Sequence, residues 1–511
     1  MSSKRYILGI DIGTTGCKCI VVDLEGKCLG EETSPYSILS PYASWAEQDP
    51  EAVFAGVMEA VRKAVVTSHV SPEEIWALSF SGTLHSLLAV DREGVPLTKA
   101  LIWADTRSKD WSLRIREEHD AHQIYDRTGC PVHPIYPASK ILWIRENLPG
   151  TYRKAHKFIS LKEYVLHKLL NRYLVDRSIA SGTGLFNIHH LDWDYDTLAI
   201  VGITADRLSE HVATIKIFEG LDPIHAEAMG IPSDVLVVIG AGDGLLSNLG
   251  AGSVEPGQLT CMIGTSGALR VLSQEPRLDE KERTWCYLLT DETWVVGGAI
   301  NNAGLVYEWF RDRFYPGDEE TYEVLDEEAA QVSVGSEGLI FLPYLTGERS
   351  PDWNPNARGV LFGLSLRHDR RHLIRAIMEG VAYSMYSVLV ALEEVTGKIR
   401  EIRGSGGFLR SPLWIQIMAD VCGRQLLVPQ VIETTSLGAV FLAMYALGHI
   451  RNLREVRGYV PIKGSYIPNV KNHELYLRLF EIYQAVYQGV AGQFSEICEI
   501  QATSIQHSDE S

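Results

Sequence analysis

The pentapeptide Ile-Gly-Thr-Thr-Gly at Ile12–Gly16 returns as Ile-Gly-Thr-Ser-Gly at Ile263–Gly267, so a chain of 511 residues carries one short loop near its start and again near its middle. Each copy follows an apolar run, Tyr6–Ile10 or Leu259–Ile263, and precedes another, Cys17–Val22 or Ala268–Leu272. That is the pattern of a tight turn between two strands. Glycine at both ends lets the backbone take positive φ and approach a ligand closely, and the paired hydroxyls add donors for anionic oxygens. Two such loops facing each other would grip a polyphosphate from both sides. The copies differ in their flanks: the first has Asp11 before the turn and Lys18 after it, the second Met262 and Arg270.

A chain this long exceeds one ordinary core, and with the internal repeat it is expected to form two large domains. Hydrophobic residues make up 46% and charged residues 22%, and no apolar run approaches the ~18 residues of a membrane span, so a globular protein with no membrane partner is expected. Met1–Arg5 leads into a strand-like segment rather than a signal-peptide core, which points to the cytosol. A net charge of −18 without a basic stripe argues against a nucleic-acid partner. The eight cysteines form no Cys-x-x-Cys pair and no zinc spacing, and are expected to be reduced.

Along the chain, Tyr6–Ile12, Cys17–Asp23 and Lys27–Thr33 form a meander around a Glu25-Gly26 turn. Asp49 caps a helix with Pro50 in its first turn and valines at helical spacing. Strands are expected at 76–81, 86–90 and 235–239, the last a buried β-branched run, and helices near 108–118, 140–146 and 161–169. The second half repeats the scheme with strands at 259–263, 268–272, 293–296, 339–342 and 401–404. Helices are expected near 302–313, 319–331, 370–395, 412–422, 435–447 and 474–497. The stretch 346–359 is a polar loop too long for a simple connector.

Several positions carry chemistry. Asp11, at a strand end beside the glycine turn, suits water-mediated Mg²⁺ binding, and equally an Asx-turn. Thr14, Thr15 and Lys18 add hydroxyl and ammonium donors. Asp243 lies between Gly242 and Gly244 after the buried strand, where it can accept a proton from an attacking hydroxyl; an ordinary turn aspartate is the alternative. His85, Trp103, Asp105 and Arg107 suit a polyhydroxylated ligand, although a Trp more often fills a core and Asp105–Arg107 also fits a local ion pair. Gly404-Ser-Gly-Gly407 is a nucleotide-type turn, and Glu433–Gly438 fits helix capping and close packing.

Together these motifs resemble the FGGY carbohydrate kinases of the actin-like ATPase superfamily, over nearly the whole chain. Lys140-Ile-Leu-Trp-Ile-Arg-Glu-Asn147 is similar to the first family signature, with Ile135 a departure at its start, and Gly359-Val-Leu-Phe-Gly-Leu364 with His372 and Ala376-Ile-Met-Glu379 is similar to the second. The resemblance implies an α/β fold of two ribonuclease-H-like domains flanking a deep cleft: residues 1–247 binding sugar and carrying the base, residues 248–500 binding nucleotide, and a loose tail over 501–511. It implies ATP and Mg²⁺, with Asp11 organising the metal and Thr14, Thr15, Lys18 and Thr265 at the phosphates. Gly304, Gly407 and Ser411 would line the adenosine pocket, Ser411 standing where some relatives have Asn. Asp243 falls on the catalytic base, and His85, Trp103, Asp105 and Arg107 on the sugar positions. A homodimer is compatible with the resemblance. The stretches 84–91, 103–108, 178–187 and 191–194 look most like members that phosphorylate D-gluconate at its terminal hydroxyl, with Arg107 or Lys162 as the cation for a sugar-acid carboxylate. Xylulose or another neutral pentose or polyol is the alternative substrate, and an actin-like ATP-binding switch without sugar transfer is the alternative of another class.

Overall fold

The computed structural model describes residues 4–42, 44–315, 322–431 and 433–509, the last eight for their backbone only. The chain forms two compact units, and neither is continuous. The first takes residues 1–256, 272–296 and 433–461, and the second takes 257–271, 297–432 and 462–511. Both differ from the continuous segments expected from the sequence, because two later stretches return to pack on the first unit.

The first unit is built on a six-stranded sheet formed by β1 (Tyr6–Ile12), β2 (Gly16–Asp23), β3 (Cys28–Pro35), β4 (Ile75–Gly82), β5 (Ile217–Glu219) and β6 (Leu236–Gly242), in the order β5-β6-β4-β1-β2-β3. The expected meander β1-β2-β3 is antiparallel, with Gly26 at φ +84° in its turn. Strands β1 and β6 both run parallel to the central β4, and β5 closes the edge antiparallel to β6. Parallel strands are buried on both faces, so their sequences are apolar throughout. On one face Leu8, Ile10 and Ile12 pack with Val53, Val57, Ala60, Val61 and Ala64 of the Pro50–Ser68 helix, whose N-terminus the Asp49 carboxylate caps.

The other face is covered by the Thr434–Ala446 helix, which lies close because glycines stand at its contacts. A Cβ on Gly9 would come within 2.3 Å of the Ser436 carbonyl oxygen, one on Gly438 within 1.9 Å of the Leu246 carbonyl oxygen, and one on Gly250 within 1.7 Å of the Thr434 carbonyl oxygen. The 433–438 stretch therefore supplies the close packing expected of it, but Glu433 makes no side-chain cap.

In the second unit, β7 (Gln258–Ile263) and β8 (Gly267–Ser273) form a hairpin. After the strand β9 (Trp285–Thr290), which belongs to the first unit, come β10 (Glu401–Ser405), β11 (Gln425–Pro429) and β12 (Ile462–Tyr466). Within a seven-stranded sheet, the run β8-β7-β10-β11-β12 is antiparallel, parallel, parallel, antiparallel. That is the sequence of directions in β2-β1-β4-β6-β5, so the repeated loop belongs to a repeated sheet. The long Arg370–Thr396 helix has the length and hydropathy of a membrane span, but its most apolar window is 78% buried, as in a core helix.

The sequence reading missed β5, β9, β11 and β12. Each is short, and β12 is exposed along most of its length, so none shows alternation. It also missed the helices Ala121–Thr128, Tyr195–Val201 and Pro223–Met229, each only two turns long. Part of the helix expected over 319–331 lies outside the described residues; the remainder is Tyr322–Ala330. The final helix runs Phe494–Asp509, through the stretch read as a loose tail. All eight cysteines are free thiols.

The glycine crossing gives a direct test. Gly438→Ala forces a methyl against a backbone carbonyl in the first unit, and overpacking of this kind costs about 1–3 kcal/mol or more. Thermal denaturation is expected to show a clearly lowered Tm, whereas Gly458→Ala, with open space around its Cβ direction, is expected to melt like the parent.

Candidate active site

In an open α/β sheet, ligands collect at the carboxyl ends of the parallel strands. The register of the first sheet puts β1, β4 and β6 level there: Asp11 and Ala241 both pair with Ser81, and Ile12 and Gly242 both pair with Gly82. Asp11 and Asp243 thus flank the end of β4 from opposite sides, two strand spacings apart, roughly 10 Å between their backbones. A bulge in β6 between Val238 and Ala241 sets the final approach. It turns on Gly240 at φ +77°, where a Cβ would lie 1.7 Å from the Phe80 carbonyl oxygen. Asp243 follows at once as the first residue of the Asp243–Gly250 helix, half-buried, its Oδ1 accepting the Gly244 amide at 2.6 Å.

The Asp11 carboxyl accepts a hydrogen bond from Ser81 at 2.7 Å. Burial above all, then the charges of Asp243 and Glu433, push its pKa up to about 7, against the opposing Ser81 bond and Lys18 charge. Crowded carboxylates of this kind fit a divalent cation. Among the described residues no cluster of three or more His, Cys, Asp or Glu side chains is arranged to hold a metal.

The first glycine loop is braced from behind. Gly13 N donates to Gly16 O at 3.1 Å, the Tyr36 hydroxyl to Gly13 O at 2.7 Å, and Gln48 Nε2 to Thr14 O at 2.7 Å. Trp103 Nε1 donates to Thr14 Oγ1 at 3.0 Å, linking the loop to a residue expected to meet sugar. Thr15 is exposed at the tip. Lys18 is paired with Glu31 at 3.0 Å and Glu433 at 3.4 Å, so it reaches a phosphate only by leaving them.

His85 sits at φ +67°, an uncommon conformation for a residue with a Cβ. Its Nδ1 lies 2.7 Å from Gly182 O. A carbonyl only accepts, so Nδ1 carries a proton and donates it to Gly182 O. Tyr136 and Tyr287 stand edge-on to the imidazole, joined to each other by their hydroxyls at 2.8 Å.

Two residues expected to meet the ligand already have protein partners in the structure. Asp105 is 0% exposed, accepting from the Ala46 amide at 2.8 Å and from the Arg107 guanidinium at 2.6–2.9 Å. Arg107 also pairs with Glu47 at 2.7 Å and stacks 3.4 Å over the Trp45 ring. These side chains hold the 45–48 strap, whose Gln48 in turn holds Thr14. The local ion pair of the alternative reading is formed. Lys162 is likewise only 1% exposed and pairs with Asp176 at 2.8 Å, so neither proposed cation is open to a carboxylate. Lys140, from the first signature, was given no role by sequence: its ammonium donates to His85 O at 2.8 Å and Ile102 O at 2.7 Å, tying together the segments that carry His85 and Trp103. Burial pulls its pKa down to about 7.

In the second unit the four positions expected at the nucleotide converge. Thr265, Gly304, Gly407 and Ser411 line a cavity of ≈ 280 Å³ with Tyr307, Tyr322, Asp326 and Trp414. The second glycine loop closes through Gly264 N to Ser266 O at 2.9 Å and receives the amides of Gly304 and Leu305 on Gly264 O and Thr265 O at 2.8 and 3.0 Å. A Cβ at Gly304 would lie 2.4 Å from Gly264 O, so helix and loop meet only because that residue is glycine. Gly407 meets nothing within 4 Å in the Cβ direction. Ser411 caps the Pro412–Cys422 helix through Trp414 N at 3.1 Å, and the Tyr307 hydroxyl donates to Asp326 at 2.7 Å beside the Tyr322 and Trp414 rings. The wall is aromatic and the rim polar, suited to a flat heterocycle.

The model of the FGGY family of carbohydrate kinases, N-terminal domain, matches residues 6–250, and that of its C-terminal domain matches residues 259–447. The chain belongs to this family of carbohydrate kinases. This FGGY kinase is 41% identical to a gluconokinase of Bacillus subtilis (strain 168), covering 98% of the chain and 99% of the relative. It is 29% identical to a xylulose kinase of the same organism, covering 94% of the chain and 97% of the relative. A solved gluconate kinase from Lactobacillus acidophilus superposes with a TM-score of 0.92 at 31% identity, covering 96% and 99% of the two chains. A ligand-bound xylulose kinase from Lactobacillus acidophilus gives the same values. The chain is therefore an ATP-dependent sugar kinase with the family's two-domain α/β architecture.

The Asp11 carboxyl is charged less readily in the folded chain than in the unfolded one, so it costs the fold stability. That cost is absent below pH 4, where both states are protonated, grows as pH rises, and levels off above about 7. In metal-free buffer Asp11→Asn is expected to melt like the parent near pH 4 and higher than the parent at pH 8, as followed by circular dichroism.

Proposed function

We propose that this kinase transfers the γ-phosphoryl group of ATP to the terminal hydroxyl of D-gluconate, giving 6-phospho-D-gluconate and ADP. Whole-length similarity to gluconokinases at 40–41% identity, against 29% to xylulose kinases, carries the choice of sugar. The fold does not discriminate, since gluconate and xylulose kinase structures match equally. Nor does the charge argument, since Arg107 and Lys162 are already paired. That equal match keeps xylulose as the second reading.

In this reading Asp243 is the base. It stands at the end of β6 with one oxygen accepting the Gly244 amide, and its carboxylate takes the proton of the sugar hydroxyl as the hydroxyl oxygen attacks the γ-phosphorus and the bond to the β-phosphate oxygen breaks. His85 meets a sugar hydroxyl, and Trp103 provides an apolar wall whose indole is fixed by Thr14. Asp11 would hold Mg²⁺, which would supply charge neutralisation to the phosphates. The amides and hydroxyls of Thr14, Thr15 and Thr265 meet phosphate oxygens, and Gly304, Gly407 and Ser411 bound the adenosine.

ATP consumption measured with gluconate, xylulose, ribulose, glycerol and no sugar tests the reading. Turnover dependent on gluconate is expected; preference for xylulose would transfer the assignment to the second substrate, and sugar-independent hydrolysis would make the chain an ATP switch. Asp243→Asn, folded by circular dichroism, is expected to lose roughly 10²–10⁴-fold in kcat, the range of general-base contributions. Asp11→Asn is expected to lose more activity at low than at saturating Mg²⁺, and equal loss at every Mg²⁺ concentration would remove the metal role.

A further inference from the structure

The peptide group joining Ala241 to Gly242 is held at both of its polar atoms. Its carbonyl oxygen accepts from Lys162 Nζ at 3.1 Å, and its N–H donates to Ser178 Oγ at 3.1 Å. Neither partner belongs to the sheet. Lys162 comes from the Leu161–Leu170 helix and is 1% exposed; Ser178 comes from the five-residue Arg177–Ser181 helix and is 0% exposed. The two are joined through Asp176, whose Oδ2 accepts from Lys162 at 2.8 Å while its Oδ1 accepts the Ile179 amide at 2.8 Å and so caps the Ser178 helix. The lysine stem crosses Gly82, where a Cβ would lie 2.8 Å from Lys162 Cβ and Cδ, so the glycine at the end of β4 is what admits it.

The same short helix reaches the other side of the sugar site. Its next residue, Gly182, presents the carbonyl that accepts from His85 Nδ1 at 2.7 Å. One stretch, 176–182, therefore fixes the imidazole of His85 at one end and the backbone preceding Asp243 at the other. We propose that Lys162, Asp176 and Ser178 are positioning residues for phosphoryl transfer, a clamp that sets Asp243 relative to His85 and so places the attacking hydroxyl against its base. The energetic logic is strong for such a clamp. A charged donor on a buried carbonyl makes a firmer bond than a neutral one, and a displacement of about 1 Å at a reacting group costs on the order of 10²-fold in rate. Burying the ion pair is costly in itself, and the expense is understandable where geometry rather than stability is at stake.

The inference rests on Asp243 being the base, and the test separates the two. Removing Lys162 alone leaves Asp176 as an uncompensated buried charge, so the informative variants are Lys162→Met combined with Asp176→Asn, which removes both charges and keeps a cap acceptor for Ile179, and Ser178→Ala. Both are assayed as the full chain with ATP and the sugar on which the parent is most active. The double variant is expected to melt cooperatively and lose about 10–100-fold in kcat, with KM for ATP unchanged within about twofold. Ser178→Ala is expected to lose kcat in the same direction by a smaller factor. In the Asp243→Asn background the double variant is expected to add little further loss, because a clamp acts only through the base it positions. Parental kcat in folded double and Ser178→Ala variants, or an equal loss with and without Asp243, overturns the inference while leaving the base in place. Near-parental turnover by Asp243→Asn overturns the base itself.

Discussion

Everything in the first unit's site depends on three parallel strands ending level with one another. Because β1 and β6 both take their register from β4, the positions of Asp11 and Asp243 are not independent: Asp11 pairs with Ser81 itself, and Asp243 follows directly on Ala241 and Gly242, which pair with Ser81 and Gly82. Side chains at those two positions are correspondingly spare, a serine that bonds Asp11 and a glycine that makes room for Lys162. The central strand contributes no charged group to the chemistry. It contributes the ruler.

The two units show how one scaffold is put to two uses. Both have a hairpin with a glycine turn followed by parallel strands in the same order, and both place that turn beside further glycine contacts. In the first unit the strand before the turn ends on a carboxylate and the surroundings are ionic, with charges at Asp11, Lys18, Glu31 and Glu433. In the second, the turn borders tyrosine and tryptophan rings. The topology fixes where ligand groups can approach, and local composition decides which ones do.

Much of this was legible from residues alone. The repeated loop, the glycine-flanked Asp243 and the long amphipathic helices are local signals, and they fall where the sequence puts them: Pro412–Cys422 is reproduced residue for residue. The four second-unit residues expected at the nucleotide line one cavity because each lies beside a glycine or a helix start, features visible in a short window. What could not be read was partnership across distance. Asp105 and Arg107 have the types of a ligand-binding pair, and nothing local reveals that Ala46, Glu47 and Trp45 have already claimed them. Lys140 and Lys162 look like surface residues of amphipathic helices, yet each is buried on backbone carbonyls from segments far away in sequence. The return of 433–461 to the first unit is of the same kind, a matter of packing that no periodicity announces.

That return has a consequence for how the molecule comes into being. The face of the first sheet covered by the Thr434–Ala446 helix, through contacts at Gly9, Gly250 and Gly438, stays bare until the ribosome has made residues near the end of the chain. During synthesis the N-terminal sheet must therefore wait, with one apolar side exposed, for a helix encoded after most of the second unit. A fragment ending at residue 256 lacks part of its own core, and the boundary between the units is a division of the finished structure rather than of the gene.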